Sequence, residues 1–210
     1  MCPSFVIGCV VVILLVDLCA GQVLQFGTCA NVETKKHFDV ERFMGHWYEI
    51  ERFPAWYEQY GECAYKHIQY CGRRIEIQHG YVRDGIKYIL HMNSTYRPGD
   101  EAVFDVQENN IDPVGIPLAV ISTDYNNYAV MHGCKHNEEH GIKYISAWIL
   151  SRESTLSQDI LMKAYRELNA IPYANLAYLE RVEQEVSKCS YRWTAHVHEI
   201  FFSTHRESKI

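Results

Sequence analysis

Short segments with a β-strand pattern, separated by residues that favour turns, follow one another along most of this chain. Cys71-Gly72, Asp84-Gly85 and Pro98-Gly99-Asp100 each divide two such segments and indicate tight hairpin connections. The predicted strands are 45–53, 63–70, 74–80, 86–96, 101–107, 116–123, 127–134 and 142–151. Eight short strands in succession favour an antiparallel up-and-down sheet, which loses its exposed edges by closing into a barrel.

After the last predicted strand, the hydrophobic period changes from two residues to that of an α-helix. Candidate N-caps lie at 154–157, and Pro172 stops the pattern. The residues that share one helical face are Ile160, Leu161, Ala164, Tyr165 and Leu168. We expect one C-terminal helix of about 13 residues packed on the outside of the barrel, and then an edge strand within 176–182.

The first 21 residues have the pattern of a secretory signal peptide. A short apolar run from Phe5 to Val16 precedes Cys19-Ala20-Gly21, which has the small residues of a cleavage site. No Lys or Arg precedes Phe5, so an N-terminal membrane anchor is the alternative, although a membrane span needs roughly 20 apolar residues. We therefore expect a secreted, extracellular protein that is glycosylated at Asn93, within the sequon Asn93-Ser94-Thr95.

Length and charge narrow the classes of protein further. The chain has 210 residues, of which 48% are hydrophobic, and this suits one domain of ordinary size. Its net charge is −6 and its basic residues form no stripe, so nucleic acid is not an expected partner. We assign residues 22–190 to a barrel domain, and residues 191–210 to a C-terminal tail of unassigned role.

The cysteines are interpreted in the light of secretion. The chain has 8 cysteines, and the three within the signal peptide leave with it. In an oxidising compartment the remainder should form disulfides, and their odd number leaves one thiol unpaired or bonded to another molecule. The cysteines that remain are Cys29, Cys63, Cys71, Cys134 and Cys189.

No metal site is expected from the sequence. The cysteine spacings include no C-x-x-C pair of the kind that binds zinc. His132, His136 and His140 lie four residues apart, but along a strand and the loop after it this spacing does not bring them together.

Three blocks of the sequence carry a family resemblance. Gly45 and Trp47 form a Gly-x-Trp block at the start of the first predicted strand, and Arg152 follows the last one. The third block is a turn before the seventh predicted strand, made of Thr123, Asp124, Tyr125, Asn126, Asn127 and Tyr128. In this order the blocks resemble the lipocalin family, and the resemblance covers roughly residues 27–190.

Further segments are similar to one branch of that family, the apolipoprotein D-like lipocalins and insect bilin-binding proteins. These segments are Phe38-Asp39-Val40, Tyr60-Gly61-Glu62-Cys63 and Ala147-Trp148-Ile149-Leu150-Ser151-Arg152. The resemblance implies disulfides Cys29–Cys134 and Cys63–Cys189, which leaves Cys71 as the free thiol. It also implies that Arg152 stacks over Trp47 at the closed end of the barrel, a cation–π contact.

Strand alternation predicts which residues line a ligand cavity. If Asn93 carries a glycan it faces outward, and Tyr88, Leu90 and Met92 then face inward. The other inward candidates follow from the phase of Trp47 and Arg152; they are Glu49, Glu51, Tyr144, Ser146 and Trp148. A carboxylate inside a barrel is costly unless it is paired, so each glutamate either meets a polar partner or is turned outward by a bulge. Core packing is the alternative role for every one of these residues.

The resemblance implies a carrier of a small hydrophobic ligand such as a lipid, a fatty acid, a sterol or a bilin, with no required cofactor. A biliverdin-type pigment or a lipid is the candidate bound molecule. The aromatic segment 54–62 lies at the open end, where it either packs onto the barrel or touches a membrane surface or receptor. Two alternatives use Cys71, one as the nucleophile of an enzyme similar to prostaglandin D synthases, the other in a disulfide-linked dimer.

Overall fold

The computed structural model describes residues 21–58, 61–71, 74–96 and 102–200. The strands are β1 (Val23–Phe26), β2 (Gly45–Arg52), β3 (Glu62–Cys71), β4 (Arg74–Arg83), β5 (Ile86–Tyr96), β6 (Val103–Val106), β7 (Leu118–Thr123), β8 (Tyr128–Asn137), β9 (Ile142–Ser151), β10 (Glu180–Arg181) and β11 (Trp193–His198). The helices are α1 (Val40–Phe43) and α2 (Gln158–Asn169).

Strands β2 to β9 form the predicted antiparallel barrel. Each strand pairs with its neighbours in sequence, and β2 pairs with β9 to close the sheet. The strand expected at 101–107 is shorter, as β6, and the one expected at 116–123 begins only after Pro117, which has no backbone N–H to donate to a ladder. The fold class predicted from the sequence is confirmed, with strand ends shifted by a few residues.

The Asp84-Gly85 connection between β4 and β5 is a two-residue hairpin turn. Asp84 has φ 52° and Gly85 has φ 73°, so both occupy the left-handed region that a type I′ turn requires. The other two predicted hairpin turns include residues 72 and 98–100, which lie outside the described residues, as do residues 1–20 of the predicted signal peptide.

Helix α2 packs on the outer face of the barrel, as its periodicity predicts. Ala164 and Leu168 are fully buried in a second apolar cluster together with Val130 and Ile149 of β8 and β9. Only Glu180 and Arg181 of the expected edge strand pair with β2, because a 3₁₀ turn occupies Leu176–Tyr178. No helix within the described ranges has both the length and the hydropathy to cross a membrane.

Arg152 and Trp47 shut one end of the barrel. The Arg152 guanidinium lies 3.6 Å from the centre of the fully buried Trp47 ring. Its Nη1 donates to the His46 carbonyl at 2.8 Å and its Nε to the Tyr125 carbonyl at 3.0 Å. Gly45 has φ +98°, and a Cβ there would lie 3.4 Å from Nη1, so glycine allows both the backbone turn and the close approach of the arginine.

The turn from Thr123 to Tyr128 supports that arginine. Thr123 Oγ1 donates to the Tyr128 carbonyl at 2.7 Å and accepts from the Tyr125 amide at 2.8 Å. Burial alone would raise the pKa of Asp124, but hydrogen bonds from the Asn127 side chain and from three backbone amides lower it. These bonds stabilise the positive φ of Tyr125, 69°, and so fix the carbonyl that Arg152 binds.

Two disulfides link the pairs that the resemblance implied. Cys29 is bonded to Cys134 and Cys63 to Cys189, and they join positions 105 and 126 residues apart. Cys71 ends β3, where its backbone pairs with Arg74 near the closed end; its side chain lies outside the described part of the chain.

The C-terminal segment belongs to the barrel wall. Within the described part of the chain, β6 pairs with residues 94–96 of β5, and the edge of β5 nearer its start is left to another strand. Strand β11 fills that edge by parallel pairing, with Trp193 opposite Ile86 and His198 opposite His91. The sheet therefore continues past the expected domain boundary at residue 190, where no sequence pattern indicated a strand.

We expect Arg152→Lys to lower the free energy of unfolding by about 2 kcal/mol, because lysine keeps the charge but cannot reach several carbonyls at once. Chemical denaturation followed by near-ultraviolet circular dichroism measures this change. Arg166→Lys, on the exposed face of α2, is the matched control and should stay within about 0.5 kcal/mol of the wild type. Equal midpoints for the two variants would contradict the proposed role of the guanidinium.

Candidate functional site

Apolar and aromatic side chains cover much of the barrel interior. Tyr88, Leu90, Met92 and Trp148 lie there, as strand alternation predicts, and all four pack in or against the inner apolar cluster. The Tyr88 ring stacks on Tyr81 with a centroid separation of 5.2 Å. The inner wall formed by these residues is therefore largely apolar.

The expectation that Glu51 faces inward is wrong, because β2 carries a bulge. Glu49 lies opposite Leu150, but Glu51 lies opposite Ile149, so one extra residue enters β2 between the two glutamates. Glu49 is fully buried inside, whereas Glu51 turns outward and accepts a 2.7 Å hydrogen bond from the Tyr165 hydroxyl on α2. Burial and this bond to a carboxylate raise the pKa of Tyr165 to about 12.

Tyr144 and Ser146 lie towards the open end of β9. The Tyr144 ring meets the edge of Trp56 with a centroid separation of 6.4 Å. Ser146 Oγ accepts from Gln22 Nε2 at 3.4 Å. Trp56 also donates to the Ile111 carbonyl at 3.1 Å, so the segment after β2 packs onto the barrel rather than standing free.

The bulge also turns Arg52 inward, where it joins a buried set of charges. Glu49 accepts from Arg52 Nη1 at 3.0 Å and lies 2.7 Å from Lys66 Nζ. Glu58 enters the interior from the segment between β2 and β3, and its Oε2 lies 3.2 Å from Arg52 Nε. Both glutamates have no exposed surface, and the Lys66 side chain is 2% exposed. Two carboxylates and two cations are thus enclosed in one network.

Donors from four strands converge on the Glu58 carboxylate. Arg52 of β2 contacts one oxygen of this carboxylate, Oε2. The other oxygen, Oε1, lies 3.3 Å from Trp148 Nε1 of β9 and 3.6 Å from Lys66 Nζ of β3. His79 Nε2 of β4 lies 3.8 Å from the same oxygen and has no hydrogen-bond partner among the described residues. Arg52 Nη2 also donates to the carbonyls of Glu58 and Gly61, at 2.6 Å and 3.1 Å, and so holds the backbone that delivers Glu58.

The surroundings of the two carboxyl groups shift their pKa values in opposite directions. Burial, and then the charge of Glu49, raise the pKa of Glu58 to about 7. Burial also opposes ionisation of Glu49, but the charge of Lys66, together with that of Arg52, outweighs it and lowers the pKa of Glu49 below the usual range. Burial and the charge of Lys66 hold the pKa of His79 well below its usual value, so the imidazole is neutral. Near neutral pH the Glu58 carboxyl group is therefore protonated in part of the molecules and ionised in the rest.

Among the described residues, Glu49, Glu58 and His79 bring one ligand atom each within 4.8 Å of one another. A metal ion does not fit there, because Lys66 and Arg52 already place positive charge 2.7 Å and 3.2 Å from the two carboxylates. Both carboxylates therefore already have side-chain cations as partners.

The remaining residues singled out in the sequence lie elsewhere. His132 is buried on the outer face, where Nδ1 contacts the Ser146 carbonyl at 2.9 Å and Nε2 contacts the Tyr173 hydroxyl at 3.3 Å. His140 bonds Asn137 in a turn, away from His132. Asn93 is exposed on the outer face of β5, and its side chain donates to Glu199.

Sequence reasoning missed Arg52, Glu58, Lys66 and His79. Two of them carried a readable signal, because Lys66 lies in phase with the buried Ala64 and Ile68, and His79 with the buried Ile77. Arg52 had none without the bulge, and Glu58 lies outside any strand.

Comparison with known proteins agrees with this architecture. Residues 44–182 match the model of the lipocalin / cytosolic fatty-acid binding protein family. Insecticyanin-B of Manduca sexta is 28% identical over 144 residues, 65% of this chain and 69% of that protein. The bilin-binding protein of Pieris brassicae is 26% identical over 70% of this chain and 79% of its own length. Apolipoprotein D of Cavia porcellus is 30% identical over 69% and 77% respectively.

Solved structures show the same fold. The structure of insecticyanin from Manduca sexta superposes with a TM-score of 0.69 over 84% of this chain and 97% of that one, at 24% identity. Lobster apocrustacyanin A1 gives a TM-score of 0.67 over 78% and 92%, at 20% identity. With a closed eight-stranded barrel, a helix outside it and a family match over most of its length, the chain belongs to the lipocalin family, in the branch of apolipoprotein D and the insect bilin-binding proteins.

Proposed function

We propose that this protein is a secreted carrier of a small hydrophobic molecule that bears a carboxylate. The observation that carries the proposal is the set of four donor side chains around Glu58. They come from Arg52, Lys66, His79 and Trp148, each on a different strand of the wall. A ligand carboxylate in the position of the Glu58 carboxylate would meet the same donors.

Glu58 is suited to be replaced by a ligand because it belongs to no strand of the barrel. Its carboxylate is fully buried, yet one of the donors around it, His79 Nε2, remains without a partner at 3.8 Å. A buried donor without an acceptor is costly, so a carboxylate that reaches all the donors gains free energy over Glu58. Ionisation of Glu58 itself is opposed by burial, which raises its pKa to about 7.

The apolar wall supplies the rest of the binding free energy. Tyr88, Leu90 and Met92 present a surface on which each methylene removed from water contributes about 0.8 kcal/mol. Long-chain fatty acids and bilins share the required chemistry, an apolar body with a carboxylate. A relative is named as a bilin-binding protein, and the family description includes fatty-acid binding. A sterol without a carboxylate fits the network less well.

Secretion is supported by the two disulfides and by the exposed position of the sequon residue Asn93. A thiol-dependent enzyme gains no support from the geometry. The backbone of Cys71 lies near the closed end of β3, where it pairs with Arg74, whereas Glu58 enters from the opposite end.

Ligand binding is measured by quenching of tryptophan fluorescence with palmitic acid, methyl palmitate and biliverdin. We expect palmitic acid or biliverdin to bind one per chain, and Glu58→Gln to tighten that binding about tenfold, because a neutral amide competes less with the ligand carboxylate. Glu153→Gln, an exposed carboxylate beyond β9, should bind as the wild type does.

The two acids distinguish a fatty acid from a bilin as the preferred ligand. Equal affinity for palmitic acid and its methyl ester would contradict the role of the carboxylate. Failure of all three compounds to quench any tryptophan would contradict the carrier function itself.

The raised pKa of Glu58 predicts a pH dependence of stability. The folded protein keeps the proton up to about pH 7, whereas an unfolded glutamate releases it near 4.5. The stabilisation is therefore complete below pH 4.5 and is lost as the pH rises through 7. Relative to Glu58→Gln, which cannot ionise, we expect the wild type to lose on the order of 2 kcal/mol in unfolding free energy between pH 5 and pH 8.

Urea denaturation with the disulfides intact measures this difference. Glu153→Gln is the control, and its curve should run parallel to that of the wild type. A constant difference between the wild type and Glu58→Gln across this pH range would show that Glu58 ionises normally in the folded state.

A further inference from the structure

Three histidines meet on the outer face of the barrel wall, where β11 joins β5. His91 lies on β5, and His196 and His198 lie two residues apart on β11, so all three project from the same face of the sheet. His196 and His198 are exposed, while the His91 side chain is 19% exposed. The cluster is separate from the interior network, and its interpretation does not depend on the ligand.

Two of the imidazoles are already hydrogen-bonded to each other. His91 Nε2 lies 2.9 Å from His196 Nδ1, a hydrogen-bond distance. On its other side, His91 Nδ1 lies 3.7 Å from the Glu76 carboxylate of β4. A carboxylate beside Nδ1 favours the proton on that nitrogen and leaves Nε2 as a lone pair directed at His196.

The third imidazole is within reach of the same point. The His198 ring stacks on His91 with a centroid separation of 4.4 Å and an angle of 14° between planes. Because His198 is exposed, a change of its side-chain rotamer can direct a ring nitrogen toward the nitrogens of His91 and His196. Two ligands at alternate positions of one strand and a third on the adjacent strand then face one ion.

We propose that His91, His196 and His198 bind a zinc ion on the outer wall, with Glu76 as the carboxylate that orients His91. Imidazole nitrogens are preferred ligands of zinc, with bonds of 2.0–2.1 Å in a tetrahedral arrangement. Two nitrogens bound to one zinc ion lie about 3.3 Å apart. Replacing the hydrogen bond by the ion therefore requires His91 Nε2 and His196 Nδ1 to separate by only a few tenths of an ångström from 2.9 Å. The ion fastens β11 to β5.

A zinc ion at these histidines would affect how firmly β11 is attached to the barrel. On the opposite face of β11, Val197 packs against the inner apolar cluster, and the strand lies beside the segment that includes Asn110. The Asn110 side chain donates to the His198 carbonyl and accepts from the Ile200 amide, and Glu199 accepts from Asn93, so the end of β11 is attached at more than one point. A zinc ion at the three histidines adds a metal-mediated link to a strand that backbone pairing, the packing of Val197 and the His91–His196 hydrogen bond already hold.

Isothermal titration of the untagged, chelator-treated protein with zinc chloride tests the site. We expect one zinc ion per chain, with affinity lowered at least about 100-fold by His196→Gln and about tenfold by Glu76→Gln, which keeps every imidazole. His140→Gln, an exposed histidine in the turn before β9, is the matched control and should bind zinc as the wild type does. Circular dichroism establishes that each variant is folded.

Hydrogen–deuterium exchange gives a second measurement. Zinc should slow the exchange of amides in 193–198 of the wild type and leave that of His196→Gln unchanged. No zinc binding, or equal binding by the wild type, Glu76→Gln and His196→Gln, overturns the proposal. Zinc binding without slower exchange in 193–198 overturns the claim that the ion fastens β11.

Discussion

The pairing of buried carboxylates with buried cations governs the open half of this barrel. An isolated charge costs several kcal/mol to enclose, so Glu49, Glu58, Arg52 and Lys66 are tolerable only as a set in which each has a partner. The bulge in β2 is what makes the set complete, since it carries Arg52 to the same face as Glu49. Regular alternation would have left Arg52 on the outer face and Glu51 inside.

The two ends of the barrel are stabilised by different kinds of acceptor. At the closed end Arg152 binds backbone carbonyls, whose positions follow from the chain path alone. At the open end Arg52 binds two carboxylates as well as carbonyls. Whether those carboxylates are ionised depends on their burial and on the charges around them. The first arrangement fixes the fold, whereas the second encloses a network of charged side chains within the barrel.

The fold could be predicted from the sequence more fully than the charged network at the open end. The alternation of hydrophobic residues and the turn residues are local patterns, and they predicted the barrel and the inner position of residues such as Leu90. The contact of Arg152 with Trp47 at the closed end was implied by the family resemblance. Strand parity placed Glu51 inside and named a bulge only as the alternative, because a bulge has no signature in the hydrophobic period that would decide between the two. The position of Glu58 and the pairing of β11 depend on contacts between distant parts of the chain, which a single sequence does not display.

Strand β11 also has a consequence for how molecules of this protein meet one another. Without it, residues 86–91 of β5 would present a row of unpaired amides and carbonyls, a template on which a strand of another molecule can add. The Cys63–Cys189 disulfide leaves only residues 190–192 between a covalent anchor and the start of β11. So short a tether keeps the strand at a millimolar effective concentration beside its own edge, and intramolecular pairing therefore outcompetes the sheet edges of neighbouring molecules.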